Sequence, residues 1–333
     1  MSTDQRRYRK HYIDILRGLA VLFVIFGHVL DKTDTTYVYY VFTSPIKIPL
    51  FFVISGYLFN GNRSFPEFFK RICRGLVLPW LALSLVPILA ISMIKGGSYL
   101  YENALDVITG RSVWYMPCCI IAELIFFCIV KITRKTRVTS VMLACVALAI
   151  IGEVLIILHQ LDIFMFNRSL TAQFFLLIGY LLKKYENYLN EAKASYAWIG
   201  ACLFIILGIV SIICYPGLNL DVHTGQYYNP AISLLMIVIG CVSIFTIAKR
   251  YDWKCKALEF VGKNSLIFYI WAGYGLAVYS IVSGKLGFAI GNQIIEALIQ
   301  TVVICAVCTV ASILINRFLP EVVGKKRAQK EES

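Results

Sequence analysis

Residues 12–28 read YIDILRGLAVLFVIFGH, a mostly apolar stretch that carries three ionisable side chains, Asp14, Arg17 and His28. About 20 apolar residues are enough for a helix to cross the hydrocarbon core of a bilayer. The stretch therefore predicts a membrane-spanning helix with charge inside it. Long apolar runs recur further along the chain at 141–158, 197–214 and 294–315.

The composition of the whole chain agrees with a membrane protein. Of its 333 residues 59% are hydrophobic and only 15% are charged, and the mean hydropathy is +0.73. A soluble domain carries about 25% charged residues. We therefore predict an all-α fold, a polytopic transmembrane helical bundle of about ten spans. The predicted spans lie near 12–30, 45–60, 75–94, 113–130, 138–158, 170–182, 196–214, 231–248, 264–282 and 294–315.

The Lys and Arg residues are concentrated in every second segment between the predicted spans. If the N-terminus is cytoplasmic, the inner segments hold 25 of the 32 Lys and Arg residues and the outer segments hold six. The positive-inside rule then predicts ten spans with both termini in the cytoplasm. The net charge of +13 is explained by this topology and by contact with anionic membrane lipids, without nucleic-acid binding. We expect one transmembrane domain over 1–320 and a charged cytoplasmic tail without fixed structure over 321–333.

The ionisable residues of the first span share one face. Arg17 and His28 are eleven residues apart, so at about 100° per residue they lie about 20° apart around the helix axis and about 16 Å apart along it. Asp14 is within about 40° of the same line, and its i, i+3 spacing allows it to pair with Arg17. Such a stripe must face the bundle interior or a water-filled cavity. An interfacial ion pair and a hydrogen-bonded interior histidine would give the same pattern.

Five segments, in order along almost the whole chain, resemble the membrane-bound acyltransferase 3 family. They are Asp14-x-x-Arg17-Gly18 followed by His28, the stretch 49–58 (PLFFVISGYL), Arg71-x-x-Arg74, Trp114-Tyr115-Met116-Pro117 followed by Glu123, and the stretch 262–269 (GKNSLIFY).

The resemblance implies a function for the chain. It implies O-acylation, usually O-acetylation, of a cell-envelope polysaccharide, a lipid-linked saccharide or a related glycan. Acetyl-CoA, or another acyl-CoA, would be the donor, and no metal would be needed. The expected location is a bacterial inner (cytoplasmic) membrane.

His28 is the expected catalytic residue, and three arginines are the expected donor-binding residues. A neutral imidazole can take the proton of an attacking hydroxyl, or it can carry the acyl group itself; the sequence leaves both open. Arg71 and Arg74 lie at the predicted cytoplasmic mouth, where guanidinium groups suit phosphate oxygens. Ordinary positive-inside charge is the alternative for these two. Arg17 lies deeper, where it can guide the donor.

Three further residues, in the first, second and fourth predicted spans, are candidates for support or substrate binding. Asp14 is expected to orient Arg17. Ser55 can supply a hydroxyl, although the pair Ser55-Gly56 also suits tight helix packing. Glu123 lies within an apolar span and is expected to face the interior, where it can bind acceptor hydroxyls or pair with Arg17.

Aromatic residues are candidates for contact with a sugar. Trp114, Tyr115 and the tyrosine-rich outer loop at 37–40 can stack on sugar faces, although interfacial aromatic belts explain them equally well. The resemblance also assigns Asn264 and Tyr269, in the late motif, to substrate binding or support.

One position departs from the family pattern. Many members carry a histidine three residues after the motif tyrosine, where this chain has Ala272, so the acceptor can differ from that of relatives. A transporter or flippase for a lipid-linked or small polar substrate would also have about ten spans and buried charges, but no internal repeat is found. A sensor or scaffold module with the same fold is a second alternative.

Overall fold

The computed structural model describes residues 11–31, 33, 36–133, 138–216, 220–221, 229–287 and 290–325. Within these ranges the chain forms α-helices joined by turns and no β-strand. The predicted all-α class is therefore confirmed. The helices are α1 (His11–Val29), α2 (Tyr37–Lys47), α3 (Pro49–Leu58), α4 (Phe65–Ile72), α5 (Leu78–Lys95), α6 (Gly97–Ile108), α7 (Tyr115–Ile132), α8 (Val138–Ile157), α9 (Phe166–Lys184), α10 (Glu186–Glu191), α11 (Ala194–Cys214), α12 (Pro230–Arg250), α13 (Lys256–Lys263), α14 (Ser265–Leu286) and α15 (Gln293–Phe318).

Nine helical segments of the described chain are long and apolar enough to cross a membrane. They match nine of the ten predicted spans, and the sixth predicted span corresponds to α9. Helix α9 has 19 residues, but it carries buried polar side chains such as Asn167 and Gln173 and ends in Lys183 and Lys184. Its neighbours shield these groups from lipid, so α9 lies inside the bundle despite its lower apolarity. The cytoplasmic placement of the termini stays a prediction.

The second span begins earlier than the sequence suggested. Helices α2 and α3 form one continuous segment, Tyr37–Leu58, with 72% of its apolar window buried. The prediction of an outer loop at 37–40 is therefore wrong. Pro45 lies within α2 and Pro49 opens α3, and neither proline ends the helical segment.

The basic segment before the third span is helical. Helix α4 begins at a capping box, in which the backbone N–H of Ser64 donates to the Glu67 carboxylate at 3.1 Å. It continues into α5 through a π-helical turn, Cys73–Val77. Arg71 thus lies on α4 and Arg74 on the π-helical turn, and such turns occur frequently at functional sites.

Helix α1 lies against α13 at a contact between backbones. A methyl group at Gly262 would stand 1.7 Å from the carbonyl oxygen of Asp14, and one at Gly18 would stand 2.4 Å from the carbonyl oxygen of Leu258. Only glycine allows the two helices to approach this closely. The contact fixes the start of the late motif beside Arg17.

A second contact of this kind joins α3 to α9. A methyl group at Gly56 would stand 2.0 Å from the carbonyl oxygen of Leu176, and one at Gly179 would stand 1.9 Å from that of Val53. Gly56 therefore serves tight helix packing, which was one of the two readings of the Ser55-Gly56 pair. The packing also fixes the direction of the neighbouring Ser55.

The chain folds back on the bundle after α15. Residues Pro320–Val323 form a 3₁₀ turn, and Val322 and Val323 pack against a buried cluster that includes Ile267 and Ala311. Residues 321–325 of the predicted tail are therefore part of the bundle, because this turn buries apolar side chains. The prediction of an unstructured tail concerns only 326–333, which lie outside the described residues.

The α1–α13 contact predicts a sharp difference between two glycines. We expect Gly262→Ala to lower the thermal stability of the purified protein, by about 1–3 kcal/mol or more, because the added methyl group overpacks the backbone contact. Gly273→Ala, on α14, is the matched control, since no atom lies within 4 Å of its added methyl group. Thermal unfolding in detergent measures both. Equal melting temperatures for the two variants would contradict the packing described here.

Candidate functional site

Two cavities open along α1. The Arg17 cavity has a volume of about 250 Å³ and the His28 cavity has a volume of about 170 Å³. The Arg17 cavity is lined by Arg17, Phe51, Ser55, Gly75, Leu76, Tyr115, Met116, Cys119, Gly262, Lys263, Ser265, Leu266, Tyr269 and Val323. The His28 cavity is lined by Val24, Gly27, His28, Tyr40, Ser44, Lys47, Ile48, Trp114, Leu220, Asp221 and Tyr269. The polar stripe of α1 thus faces cavities inside the bundle.

Charge interactions gather four predicted residues around the Arg17 cavity. Arg17 interacts with the carboxylates of Asp14 and Glu123 and with the like charge of Arg71. Glu123 in turn interacts with Arg71 and Arg17. Asp14 is 4% exposed and Glu123 is 8% exposed, so two buried acids balance the charge of Arg17, and Arg71 adds positive charge from an exposed position.

Ser55 connects α3 to this charged group. Ser55 lies close enough to the Glu123 carboxylate and the Cys119 thiol to interact with both. Both partners belong to α7, one turn apart, and Ser55 and Cys119 line the Arg17 cavity. Ser55 therefore presents a hydroxyl to the cavity beside Glu123.

The two predicted donor-binding arginines of the third span have different surroundings. Both are exposed, but only Arg71 interacts with the charges of Arg17 and Glu123. Arg74 does not line either cavity, whereas the next two residues of its π-helical turn, Gly75 and Leu76, line the Arg17 cavity. The structure thus brings Arg71 to the charged group and leaves Arg74 at its edge.

The His28 cavity contains two charged residues that the sequence analysis did not single out. Lys47, at the end of α2, places its ammonium nitrogen 5.2 Å from the centre of the Tyr40 ring. The same nitrogen would lie 3.4 Å from a methyl group on Gly27, so it is beside the turn that carries His28. Asp221 lies in the connection between α11 and α12. A site with a positive and a negative charge suits a polar acceptor rich in hydroxyl groups.

Tyrosines of α2 fix the end of α1. The hydroxyl of Tyr40 donates to the carbonyl oxygens of Gly27 and Leu30, at 3.0 and 2.5 Å, and that of Tyr39 donates to Phe23. The last carbonyl groups of a helix have no partners within the helix, so these bonds stabilise its end and orient His28. These bonds give the two tyrosines a positioning role, and the sugar stacking expected at 37–40 stays a prediction.

Three aromatic residues stand between the two cavities. Tyr269 lines both of them, whereas Trp114 lines the His28 cavity and Tyr115 lines the Arg17 cavity. The rings of Tyr115 and Tyr269 meet edge to face with centres 5.5 Å apart. All three residues were candidates from their motifs, and the structure brings them together.

The side chain of Asn264 is fixed by hydrogen bonds to three other residues. Its side chain donates to the carbonyl oxygen of Phe260 at 2.8 Å. Its amide oxygen accepts from Asn316 at 2.8 Å and from Lys325 at 3.0 Å. Asn264 thus ties α15 and the C-terminal turn to the start of α14. Asn264 does not line the Arg17 cavity itself, but it supports the turn that carries Val323, which does.

Ala272 lies away from both cavities. It packs against an apolar cluster of buried residues that includes Val21 and Ile25 of α1 and Ile304 of α15. A methyl side chain fits such an environment, so the departure from the family pattern places a small apolar side chain against this cluster.

Lys263 is a second basic lining residue that the sequence analysis passed over. Its ammonium group lies 3.1 Å from the carboxylate of Glu259, which also contacts His11 at 3.0 Å. The hydrogen bond from His11, followed by that from Lys263, lowers the pKa of Glu259 below its ordinary value of 4.5. This carboxylate thus positions Lys263 at the rim of the Arg17 cavity and links α13 to the start of α1.

Comparison with known proteins gives one match. The family model described as "Acyltransferase domain", which represents the acyltransferase 3 family, matches residues 10–317. No curated protein and no solved structure matches the chain.

The Glu259 contacts predict a pH-dependent stability. Because its pKa is lowered in the folded protein, Glu259 contributes stability above pH 4.5, and this contribution is lost as the pH falls through the lowered pKa. We therefore expect Glu259→Gln to melt below wild type at pH 7 and the gap to close under acid conditions. Glu321→Gln, at an exposed position, is the control, and its melting temperature should differ from that of wild type by the same small amount at both pH values. If the difference in melting temperature between Glu259→Gln and wild type does not change with pH, the role given to Glu259 is wrong.

Proposed function

The chain belongs to the acyltransferase 3 family of integral membrane proteins, and on that premise we propose that it moves an acyl group from acyl-CoA in the Arg17 cavity to a glycan hydroxyl in the His28 cavity. The observation that carries this proposal is the pair of cavities on one helix, with a basic group at one and a histidine at the other. Acetyl is the proposed acyl group, and a cell-envelope polysaccharide or lipid-linked saccharide is the proposed acceptor. The proposed location is the bacterial inner membrane.

The basic residues support a polyanionic donor at the Arg17 cavity. Arg17 and Lys263 line this cavity, and Arg71 interacts with Arg17 from α4. Charge-assisted hydrogen bonds from guanidinium and ammonium groups to phosphate are stronger than those between neutral groups. In the proposed topology this end of α1 faces the cytoplasm, where coenzyme A thioesters are made, and the thioester arm extends along α1 toward His28.

The reaction follows from the position of His28. An imidazole nitrogen takes the proton of the acceptor hydroxyl as its oxygen attacks the thioester carbonyl carbon. The carbon–sulfur bond then breaks, and the thiolate of coenzyme A receives the proton from the imidazolium. In the alternative order the imidazole attacks the thioester carbon first and expels the thiolate of coenzyme A. The acceptor hydroxyl then attacks the acyl-histidine, the bond between carbon and the ring nitrogen breaks, and the hydroxyl proton passes to the thiolate. Lys47, beside the same turn, supplies positive charge toward the oxyanion that develops in either order.

Replacing His28 tests the proposed chemistry. We expect His28→Ala to reduce transfer of radiolabelled acetyl from acetyl-CoA to membrane glycans by about 100- to 10,000-fold, because the proton acceptor is lost. His159→Ala is the matched control, since His159 lies in the connection after α8 and lines neither cavity. Unchanged incorporation in His28→Ala membranes, at equal protein levels, would refute the catalytic role.

Replacing Arg71 tests the donor site. We expect Arg71→Gln to raise the KM for acetyl-CoA about tenfold or more, because a charge-assisted contact to a charged group contributes about 1.5–3 kcal/mol. The KM for the acceptor should stay near that of wild type. Lys70→Gln removes one positive charge from the neighbouring exposed position of α4 and should change the KM for the donor little. If both substitutions raise the KM for acetyl-CoA equally, Arg71 makes no specific contact with the donor and contributes only general positive charge.

A further inference from the structure

Tyr269 is the one residue of the described chain that lines both the Arg17 cavity and the His28 cavity. The remaining lining residues divide cleanly between the two. This division applies even to neighbours in sequence, since Trp114 faces one cavity and Tyr115 the other. The two cavities therefore adjoin at Tyr269, and we call this shared wall the junction.

The Tyr115 ring packs against Tyr269 on one side. The centres of these two rings are 5.5 Å apart. Tyr115 is in turn packed against Phe51 and Phe52, with ring centres 5.6 and 5.1 Å away. A side chain in such packed surroundings adapts poorly to bulky groups, because close-packed interiors resist small changes in volume.

The backbone beneath Tyr269 is fixed as well. Helix α14 starts at Ser265, directly after Asn264, whose amide oxygen is bonded to Asn316 and Lys325. Ser265, Leu266 and Tyr269 all line the Arg17 cavity, so this first turn of α14 presents one continuous wall. Any group that leaves the Arg17 cavity for the His28 cavity passes the end of that wall.

We propose that Tyr269 separates the two cavities and determines which acyl chains the protein transfers, because it is the one described residue that lines both of them. This inference rests on the proposed function, in which the thioester end of the donor moves from the Arg17 cavity to His28. The ring admits a short acyl group and excludes longer ones. Tyr269 is thus a specificity-determining residue and takes no part in proton transfer.

Competition between acyl donors of different length tests this role. Full-length protein in native membranes is given equal concentrations of acetyl-CoA and butyryl-CoA, and the ratio of butyryl to acetyl incorporated into glycan is measured. Tyr269→Ala should raise this ratio about tenfold or more, because one or two methylene groups in an apolar pocket discriminate by roughly 10- to 200-fold. Tyr269→Phe keeps the ring and should keep the wild-type ratio.

A control and a second variant separate the junction from general effects. Tyr274→Ala removes a half-buried tyrosine from the same helix that lines neither cavity, and it should leave the ratio unchanged. Leucine fills more of this space than alanine, so Tyr269→Leu tests the same idea if Tyr269→Ala does not fold. Tyr269→Leu should also raise the ratio of butyryl to acetyl in the glycan.

The outcomes distinguish this inference from the proposed function. If wild type incorporates acyl groups and the ratio is the same in wild type, Tyr269→Ala and Tyr269→Leu, then Tyr269 does not select the acyl chain and the inference is overturned. If wild type transfers no acyl group from either donor, the proposed function itself fails. A raised ratio in Tyr274→Ala would also overturn the inference, since selection would then not depend on the junction.

Discussion

Charged side chains on a membrane-spanning helix cannot face hydrocarbon at acceptable cost, and this constraint places α1 inside the bundle. More than half of its apolar window is buried, compared with 17% for α8 and for α11. Asp14 is buried, and Arg17 and the exposed His28 each line a cavity between helices. Glycine contacts at Gly18 and Gly262 bring α13 against the first half of α1, and the tyrosines of α2 hold its last turn.

The two ends of α1 offer different chemistry. At one end, arginine, lysine and carboxylate groups are balanced around a cavity, a setting that suits phosphate. At the other end, His28, Lys47 and Asp221 line a smaller cavity that suits proton transfer to and from a hydroxyl. The separation of about 16 Å along the helix fits the proposed donor, because a coenzyme A thioester has a long arm. In the proposed reaction Tyr269, which lines both cavities, selects the acyl group.

Much of this arrangement follows from local sequence. Helical spacing predicts the shared stripe of Arg17 and His28, and the isolated charge of Glu123 predicts an interior position. Residues defined by contacts distant in sequence were missed. Lys47 looks like an ordinary outer-loop charge until α2 places it beside Gly27, and Asp221 lies in a connection with no motif. Lys263 lies between the glycine and the asparagine of the late motif, and only the fold shows that it lines the Arg17 cavity. The outer loop expected at 37–40 proved to be helix, because prolines within a buried segment need not end it.

The central claim is that the donor binds in the Arg17 cavity and that its acyl group passes Tyr269 to reach His28, at the other end of α1. A structure of the protein with a non-hydrolysable ketone analogue of acetyl-CoA tests this claim most directly. The account predicts the nucleotide beside Arg17, Arg71 and Lys263, and the ketone carbon in the His28 cavity, beyond Tyr269, where an acceptor oxygen held by His28 can approach to about 3–3.5 Å. A ketone that remains in the Arg17 cavity, with no path past Tyr269, would contradict it.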